Sequence, residues 1–533
     1  MQQELGVRIE SAGGSLMEVK DLVGLALRRN PKRAHLLVSR VLAKHVPTVP
    51  SLAIAAGMLL GAMVAERLAG PAEHGPALRS AAEALAAALR SADGEIPATG
   101  DTNGDTLTGR RTDDGAAGPP REKPAPREKP APREKPALRE LRETLAALAA
   151  NHPDVVTIGY AETATGLGRL VAEGIGSYYI HTTRHLAAGS HSVAAFEEGH
   201  SHATSHRLLP TDDRWLRPGG IVVLVDDELS TGSTIINTIR ELHGLMPQRE
   251  YIVAALVDLR TTGDRERFDE LSAALGATIR VAALSSGRIS LSADILARSR
   301  EFIAALPAPV AAMTTGKEVA ERQGSISFLS IGTTEIAPIR SDRFGNEPPA
   351  TASIALPAVA AITAHIRADV AQRTGVAKMA QMDTTAQRDL QTWLQEGILV
   401  LGTEEFISLP LAVADALDEH FPVKFSTTTR SPIVALDRPD YAIASSIGFG
   451  SHDQTEDGPG PRFAYNLSRD GLRFGSIILM PEPGTDPAVL SGTGSITEAL
   501  SALCRDVVVV LLPAASPATA ASNFRQGPHA PHN

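Results

Sequence analysis

Asp226 and Asp227 stand side by side at the end of an apolar run, Val222-Val223-Leu224-Val225, and are followed by Glu228-Leu229 and then Ser230-Thr231-Gly232-Ser233-Thr234. Carboxylates repel phosphate but accept hydrogen bonds, so the acid pair suits the vicinal hydroxyls of a ribose. The stretch after it has the opposite preference. Ser230, Thr231, Ser233 and Thr234 offer O–H donors, and Gly232 lets the backbone approach an anion closely. The spacing of Ile235, Ile236, Ile239 and Leu242 predicts a helix whose unpaired N–H groups and positive dipole end face the same point. A phosphorylated ribose satisfies both halves; a helix N-cap with incidental acids gives the same string. The element that must carry the acids is a short β-branched-rich run bounded by Gly219-Gly220, which predicts a buried parallel strand.

Paired acids followed by a small-hydroxyl-Gly-hydroxyl loop resemble the 5-phosphoribosyl-1-pyrophosphate (PRPP) signature of type I phosphoribosyltransferases. A Walker A loop would end in Gly-Lys-Ser/Thr, which is missing here. A second strand-loop-helix lies upstream, Val155-Val156-Thr157-Ile158-Gly159-Tyr160 leading through Ala161-Glu162-Thr163-Ala164-Thr165 to Gly166-Leu167-Gly168. In the resembled family, a pyrophosphate loop, a helix, a strand and a mobile flap come in this order. Here they fall at 161–165, 167–174, Tyr178–His181 and roughly 182–216, an order similar to that of orotate phosphoribosyltransferase.

The resemblance implies an α/β fold with a parallel sheet flanked by helices, and a set of roles. PRPP, chelated to Mg²⁺, would be bound by Asp226, Asp227, Glu228 and Ser230 to Thr234, with the pyrophosphate at Ala161, Glu162, Thr163, Ala164 and Thr165. Asp226, Asp227, Arg184 and His202 are the implied catalytic residues. An unknown base-like acceptor would attack C1 and release pyrophosphate through an oxocarbenium-like state. Lys32, Arg33 and Arg184 are the candidate cations for the leaving group, although Arg28 to Arg33 also reads as a basic turn between a helix and a strand. Asp258 and Arg260, ending the strand predicted after the PRPP helix, are candidates for base or pyrophosphate contacts.

Where the resembled enzyme carries a basic flap, this chain has Phe196-Glu197-Glu198-Gly199-His200-Ser201-His202-Ala203-Thr204-Ser205-His206. His200 and His202 share one face of a strand, or His202 and His206 one face of a helix, and imidazole is a good zinc or iron ligand. The same histidines serve as proton donors or phosphate contacts on a closing flap, or as a solvated loop. No metal site is assigned.

The 533 residues, 43% hydrophobic, suffice for more than one core. A net charge of −10 argues against a general nucleic-acid binder. Lone Cys504 excludes an intramolecular disulfide and a Cys-rich zinc site, and points to a reducing, cytoplasmic compartment. MQQELGVRIE carries no secretory pattern. The apolar stretch from Ser51 to Ala65 is short and rich in Gly and Ala, so it predicts a buried helix and no membrane span. Between 91 and 138 the composition turns to Gly, Thr and Asp and then to repeated Pro-Arg-Glu-Lys-Pro-Ala, which predicts a solvated linker inserted in one domain.

Downstream, Thr428-Thr429-Arg430-Ser431-Pro432 and Gly402-Thr403-Glu404-Glu405-Phe406 resemble the TRSP domain, which accompanies orotate-phosphoribosyltransferase-like domains encoded with tellurite-resistance and stress-response genes. The implied layout is a phosphoribosyltransferase domain over 1–310 with the linker inside it, a TRSP domain over 320–515 and a disordered tail over 516–533. The implied role lies in making a nucleoside-like metabolite. A PRPP or nucleotide sensor is the alternative, and the resemblance allows a homodimer.

One pattern suggests more. Ile398 to Glu405 repeats Val155 to Glu162: an apolar strand, a glycine, and an acid three positions on. Thr-Thr-Arg follows both, at 182–184 and 428–430. Thr493-Gly494-Ser495 echoes Thr231-Gly232-Ser233, while Glu482 alone stands where an acid pair would be. The second domain reads as a degenerate phosphoribosyltransferase-like lobe that keeps an anion-binding loop, or as a generic α/β domain whose short glycine-hydroxyl loop matches by chance.

Overall fold

The computed structural model describes residues 1–28, 34–70, 74–94, 136–185, 192–197, 205–211, 215–306, 323–346, 348–376, 382–452, 460–468 and 474–515. Helix α1 (Gln2–Leu5) leads to β1 (Val7–Ser11), and α2 (Val19–Leu22) to the antiparallel hairpin β2 (Val23–Leu27) and β3 (His35–Ser39). Three helices follow, α3 (Pro50–Ala69), α4 (Pro76–Gly94) and α5 (Pro136–Ala147). Next come β4 (Val155–Gly159), α6 (Thr165–Ile175), β5 (Tyr178–His181) and a second hairpin, β6 (Ala194–Glu197) with β7 (Ser205–Leu208). The first lobe ends with β8 (Ile221–Leu229), α7 (Ser233–Leu245), β9 (Glu250–Asp258), α8 (Thr262–Leu275), β10 (Thr278–Leu291) and α9 (Ile295–Ala305).

Its sheet runs β1-β10-β9-β8-β4-β5, parallel except for β1. Val222 to Val225 are buried, as the β-branched run predicts, and so are Ile235, Ile236, Ile239 and Leu242 on the inner face of α7. Helix α3 is long and apolar enough to cross a membrane, yet most of it is buried within the fold. Gly57 allows its close packing on α6, since a Cβ there would come within 2.5 Å of Leu170. The predicted linker is shorter at both ends than 91–138, because α4 continues through Gly94 and α5 starts at Pro136. Leu138, Leu141 and Leu145 recur at helical spacing and are buried, which holds α5 down. The rest of that segment and the tail beyond 515 lie outside the described residues.

The second lobe comprises β11 (Ser325–Ser330), α10 (Pro348–Thr374), α11 (Thr384–Glu396), β12 (Ile398–Gly402), α12 (Ser408–Asp418), β13 (Val423–Thr427), the hairpin β14 (Ser446–Phe449) with β15 (Arg462–Tyr465), β16 (Phe474–Met480), α13 (Ile496–Ser501) and β17 (Cys504–Leu511). Its sheet is wholly parallel, in the order β11-β17-β16-β12-β13. From β4 onward the first lobe has the order β9-β8-β4-β5, with a hairpin inserted between β5 and β8. The second has β17-β16-β12-β13, with a hairpin inserted between β13 and β16. The expected repeat is present in strand order, direction and insertion. In each lobe the chain reverses its winding between the first and third strands, at β4/β8 and at β12/β16. A crevice at the carboxyl ends of the strands is expected at such a point.

The lobes do not have separate cores. Ile433, Val434, Tyr441, Ile443 and Tyr465 are buried with the first lobe's apolar residues, and Ala43 and Ala53 with the second's. The segment after Pro432 runs beside the β2-β3 hairpin: Val434 N–H donates to Leu27 O at 2.8 Å and Ala442 N–H to Leu25 O at 3.0 Å.

Candidate functional site

Strand β8 continues through Leu229, so Asp226, Asp227 and Glu228 lie on the strand's end and not in a loop. All three are partly buried, and Asp226 Oδ1 accepts the Asp227 N–H at 2.9 Å. Burial pushes the Asp227 carboxyl above its ordinary range, and the neighbouring Glu228 charge adds to this. Beyond the acids the chain turns at Gly232, whose φ of 71° is in the left-handed region. A Cβ there would meet the Phe268 ring at 2.4 Å, so only glycine fits. Helix α7 starts at Ser233 with no side-chain cap and no acid in its first turn, which leaves its positive end suited to an anion. Thr231 and Ser233 hydroxyls lie 3.1 Å apart, and both terminal nitrogens of Arg267 reach Ser233 Oγ at 3.4 Å.

Asp258 and Arg260, expected near the base or pyrophosphate, are paired with each other. Arg260 makes a two-pronged contact with Asp258, at 3.0 and 2.9 Å, and lies over the Phe268 ring at 4.4 Å. With Phe268, the pair packs against the Gly232 turn.

The loop after β4 crosses the site from the other side, with a cis peptide between Ala161 and Glu162. Ala161 N–H donates to Thr182 Oγ1 at 2.9 Å and Ala164 N–H to Tyr160 O at 2.9 Å. Glu162 is buried and turned into the contact between the lobes. Its Oε2 accepts from Lys44 Nζ at 2.9 Å and from Thr429 Oγ1 at 3.1 Å, while Arg430 Nε lies 3.1 Å from Oε1. Burial alone would raise this carboxyl, but Lys44, Arg430 and Arg184 hold it well below the usual range. Arg430 also reaches Glu404 at 2.7 Å, and Arg462 reaches the same carboxylate at 2.6 Å. Lys44, Glu162, Arg430, Glu404 and Arg462 thus form a continuous buried chain of alternating charge from one lobe to the other.

The contact is reciprocal. Glu405 accepts from Thr183 Oγ1 at 2.6 Å and from the Arg184 N–H at 2.9 Å, as Glu162 takes Thr429 and Arg430. Glu404 N–H donates to Thr428 Oγ1 at 3.1 Å, the counterpart of Ala161 on Thr182. The two Thr-Thr-Arg stretches and the two acids are therefore one interface motif used twice. Burial would raise Glu405, but His185 and Arg343 pull it down to about 2.

Asp226, Asp227 and Glu228 at the end of β8, and Ser230, Thr231, Gly232, Ser233 and Thr234 at the turn and start of α7, lie on one strand-turn-helix. Thr163 joins the other wall, where its Oγ1 is 3.4 Å from Lys44 Nζ. Glu162 and Thr165 depart from the expected pyrophosphate contacts. Glu162 serves the lobe contact, and the Thr165 hydroxyl bonds Glu405 O at 3.0 Å. Arg184 is beside this wall, 3.4 Å from the ring of His206, which is buried on β7 and bonded to Thr182 Oγ1 at 2.9 Å. Lys32, Arg33, His200 and His202 lie outside the described residues. The elements flanking the basic stretch 28–33 are the two strands of a hairpin, β2 and β3, not a helix and a strand. Sequence reasoning missed Lys44, an isolated lysine after β3 whose only signal is its place in an otherwise apolar stretch. It also missed that Thr429 and Arg430 serve the first lobe.

A parallel sheet that reverses its winding at β4/β8, with paired carboxylates and a glycine-hydroxyl turn at that point, has the type I phosphoribosyltransferase fold. The chain belongs to the phosphoribosyl transferase family: the family model of that description matches residues 22–288, half of the chain, and a TRSP domain C-terminal to that transferase matches 363–500. Among solved structures, the chain is similar to adenine phosphoribosyltransferase from Rhodothermus marinus, with 22% identity over 28% of this chain and 80% of that one and a TM-score of 0.19. Orotate phosphoribosyltransferase from Aeropyrum pernix shares 22% identity over 25% of this chain and 61% of that one, with a TM-score of 0.15. No curated protein matches the chain.

Proposed function

We propose that the first lobe, spanning about 1–310, transfers a 5-phosphoribosyl group from PRPP to a base-like acceptor and releases pyrophosphate. The observation that carries this is the Asp226-Asp227 pair at the strand end, directly before the Gly232 turn and the uncapped start of α7. Asp226 and Asp227 accept hydrogen bonds from the ribose hydroxyls, and Ser230 to Thr234 hold the 5-phosphate. Mg²⁺ enters as part of the chelated substrate and supplies positive charge to the leaving group. Positive charge at C1 develops beside the two carboxylates, which stabilise it without reorganising. Thr163, with Lys44 behind it, and Arg184 face the pyrophosphate side, and the β6-β7 flap excludes water so that transfer outruns hydrolysis. The product is a nucleoside-like phosphate in a cytoplasmic pathway of tellurite resistance or stress response; the buried free thiol of Cys504 agrees with a reducing compartment.

The test is product formation. The full chain is incubated with carbon-13-labelled PRPP, Mg²⁺ and a cell metabolite extract, and new species carrying the labelled ribosyl phosphate are sought by mass spectrometry. A labelled product absent with Asp227→Asn is expected. Labelled ribose 5-phosphate alone, or unchanged PRPP, would sink the transfer reading; the second outcome with tight binding would instead indicate a sensor.

A further inference from the structure

The second lobe has a crevice of its own. At the carboxyl ends of β12 and β16 lies a cleft of about 240 Å³ lined by Thr403, Glu404, Glu482 and Asp486, with His452 from the loop after β14 and His185 from the first lobe. It sits where the chain reverses its winding, the position that takes ligands in open parallel sheets. The register makes the correspondence specific. Asp227 is two residues beyond Val225, the partner of Gly159; Glu482 is two residues beyond Met480, the partner of Gly402. One carboxylate of the first lobe's hydroxyl-reading pair therefore has a counterpart.

The phosphate-reading half does not. Helix α13 has six residues, and the carboxylate of Glu498 already accepts the Gly494 N–H at 2.6 Å. A second anion would meet that charge, so the expected anion-binding loop is lost. The cleft itself offers acceptors held in place. Glu404, 1% exposed, is fixed by Arg430 and Arg462, and Glu482 by Arg343. Asp486 accepts the Ala488 N–H through Oδ1 at 2.9 Å, and the Thr485 hydroxyl donates to Glu482 O at 2.6 Å. With arginines balancing Glu404 and Glu482, the site has no need of a metal ion. An ionised carboxylate has about four acceptor sites, more than these contacts use at Glu482 and Asp486.

We infer that this cleft is a second ligand site, for a phosphate-free ring with vicinal hydroxyls such as the ribosyl group of a free sugar or nucleoside. The volume is below the roughly 300–1,000 Å³ of drug-sized pockets, which favours a single ring held inside with the remainder projecting out. The choice of a hydroxyl-bearing ring rests on the reading of Asp227 as an acceptor for ribose hydroxyls, and not on group transfer in the first lobe.

The test is titration calorimetry on the full chain with D-ribose, a ribonucleoside and ribose 5-phosphate. Saturable binding of ribose or the nucleoside is expected, and it persists in Asp227→Asn. Tighter binding of the nucleoside would identify it as the better source of the ring, and equal binding the sugar. Asp486→Asn, which keeps the acceptor for Ala488, should weaken binding about 10-fold. Val489→Trp, at a wall position 48% exposed, should block the cleft while leaving the melting temperature unchanged. Absence of saturable binding by both unphosphorylated probes would overturn the inference. So would binding abolished by Asp227→Asn and untouched by Val489→Trp, or a preference for ribose 5-phosphate that survives Asp227→Asn.

Discussion

At the scale of single residues, the proposed chemistry turns on Asp227. Its carboxyl is raised by burial and by Glu228, so it takes up a proton at a pH above the ordinary aspartate range. In the proposed transfer the ionised form accepts the ribose hydroxyls and faces the developing cation. Activity should therefore fall as pH falls through that raised value, and a pH–rate profile of Glu228→Gln should show the acid limb moved to lower pH. Gly232 is the second critical position. Gly232→Ala adds a methyl 2.4 Å from Phe268 at a φ of 71°, which costs roughly 1–3 kcal/mol and should raise the KM for PRPP about 10-fold. The acids and the glycine turn were legible in the sequence because adjacent residues make them. Lys44 was not, because its partner Glu162 is more than a hundred residues away and nothing local marks the pair.

Strand ends and loops explain why the lobes meet where they do. The β4 loop carries Glu162 and the β12 loop Glu405, and the β5 and β13 ends each carry Thr-Thr-Arg, so each of these two acids finds donors across the interface. Arg430 holds both Glu162 and Glu404, and its loss leaves two buried carboxylates short of a cation. Arg430→Ala should destabilise the protein by about 3–5 kcal/mol in urea unfolding. Arg430→Lys should recover part of this, because an ammonium is a single point charge. Glu405 gives a pH signature. With its folded pKa lowered from 4.5 to about 2, its contribution is present above pH 4.5 and is lost as pH falls toward 2. Glu405→Gln should flatten the loss of stability over that window. The repeat was visible in sequence as a shared string, but its meaning as an interface was not, since strings do not say what faces them. The second copy's glycine-hydroxyl loop misled for the same reason: only the structure places Glu498 on its N–H group.

At the scale of the molecule, the TRSP lobe behaves as a built-in partner of the transferase lobe. Ile433, Val434 and Tyr441 complete the first core, and the segment carrying them is hydrogen-bonded to the β2-β3 hairpin. A chain ending at Leu306 would expose that apolar surface and should be recovered aggregated or unfolded, as circular dichroism and size-exclusion chromatography would show. A folded, soluble first lobe would show that the shared core is dispensable. The order of a transferase region and then a TRSP region was legible from the strings at 226–234 and 428–432, while the sharing of cores was not, because it depends on contacts spanning most of the chain.

Steady-state pyrophosphate release from Mg²⁺-PRPP, with and without a metabolite extract, tests phosphoribosyl transfer most directly when run on the wild type and Asp227→Asn. Release that depends on the extract and falls at least ~100-fold in the variant is expected. Saturable PRPP binding with no release in any extract, or release that Asp227→Asn leaves intact, would contradict transfer at this site.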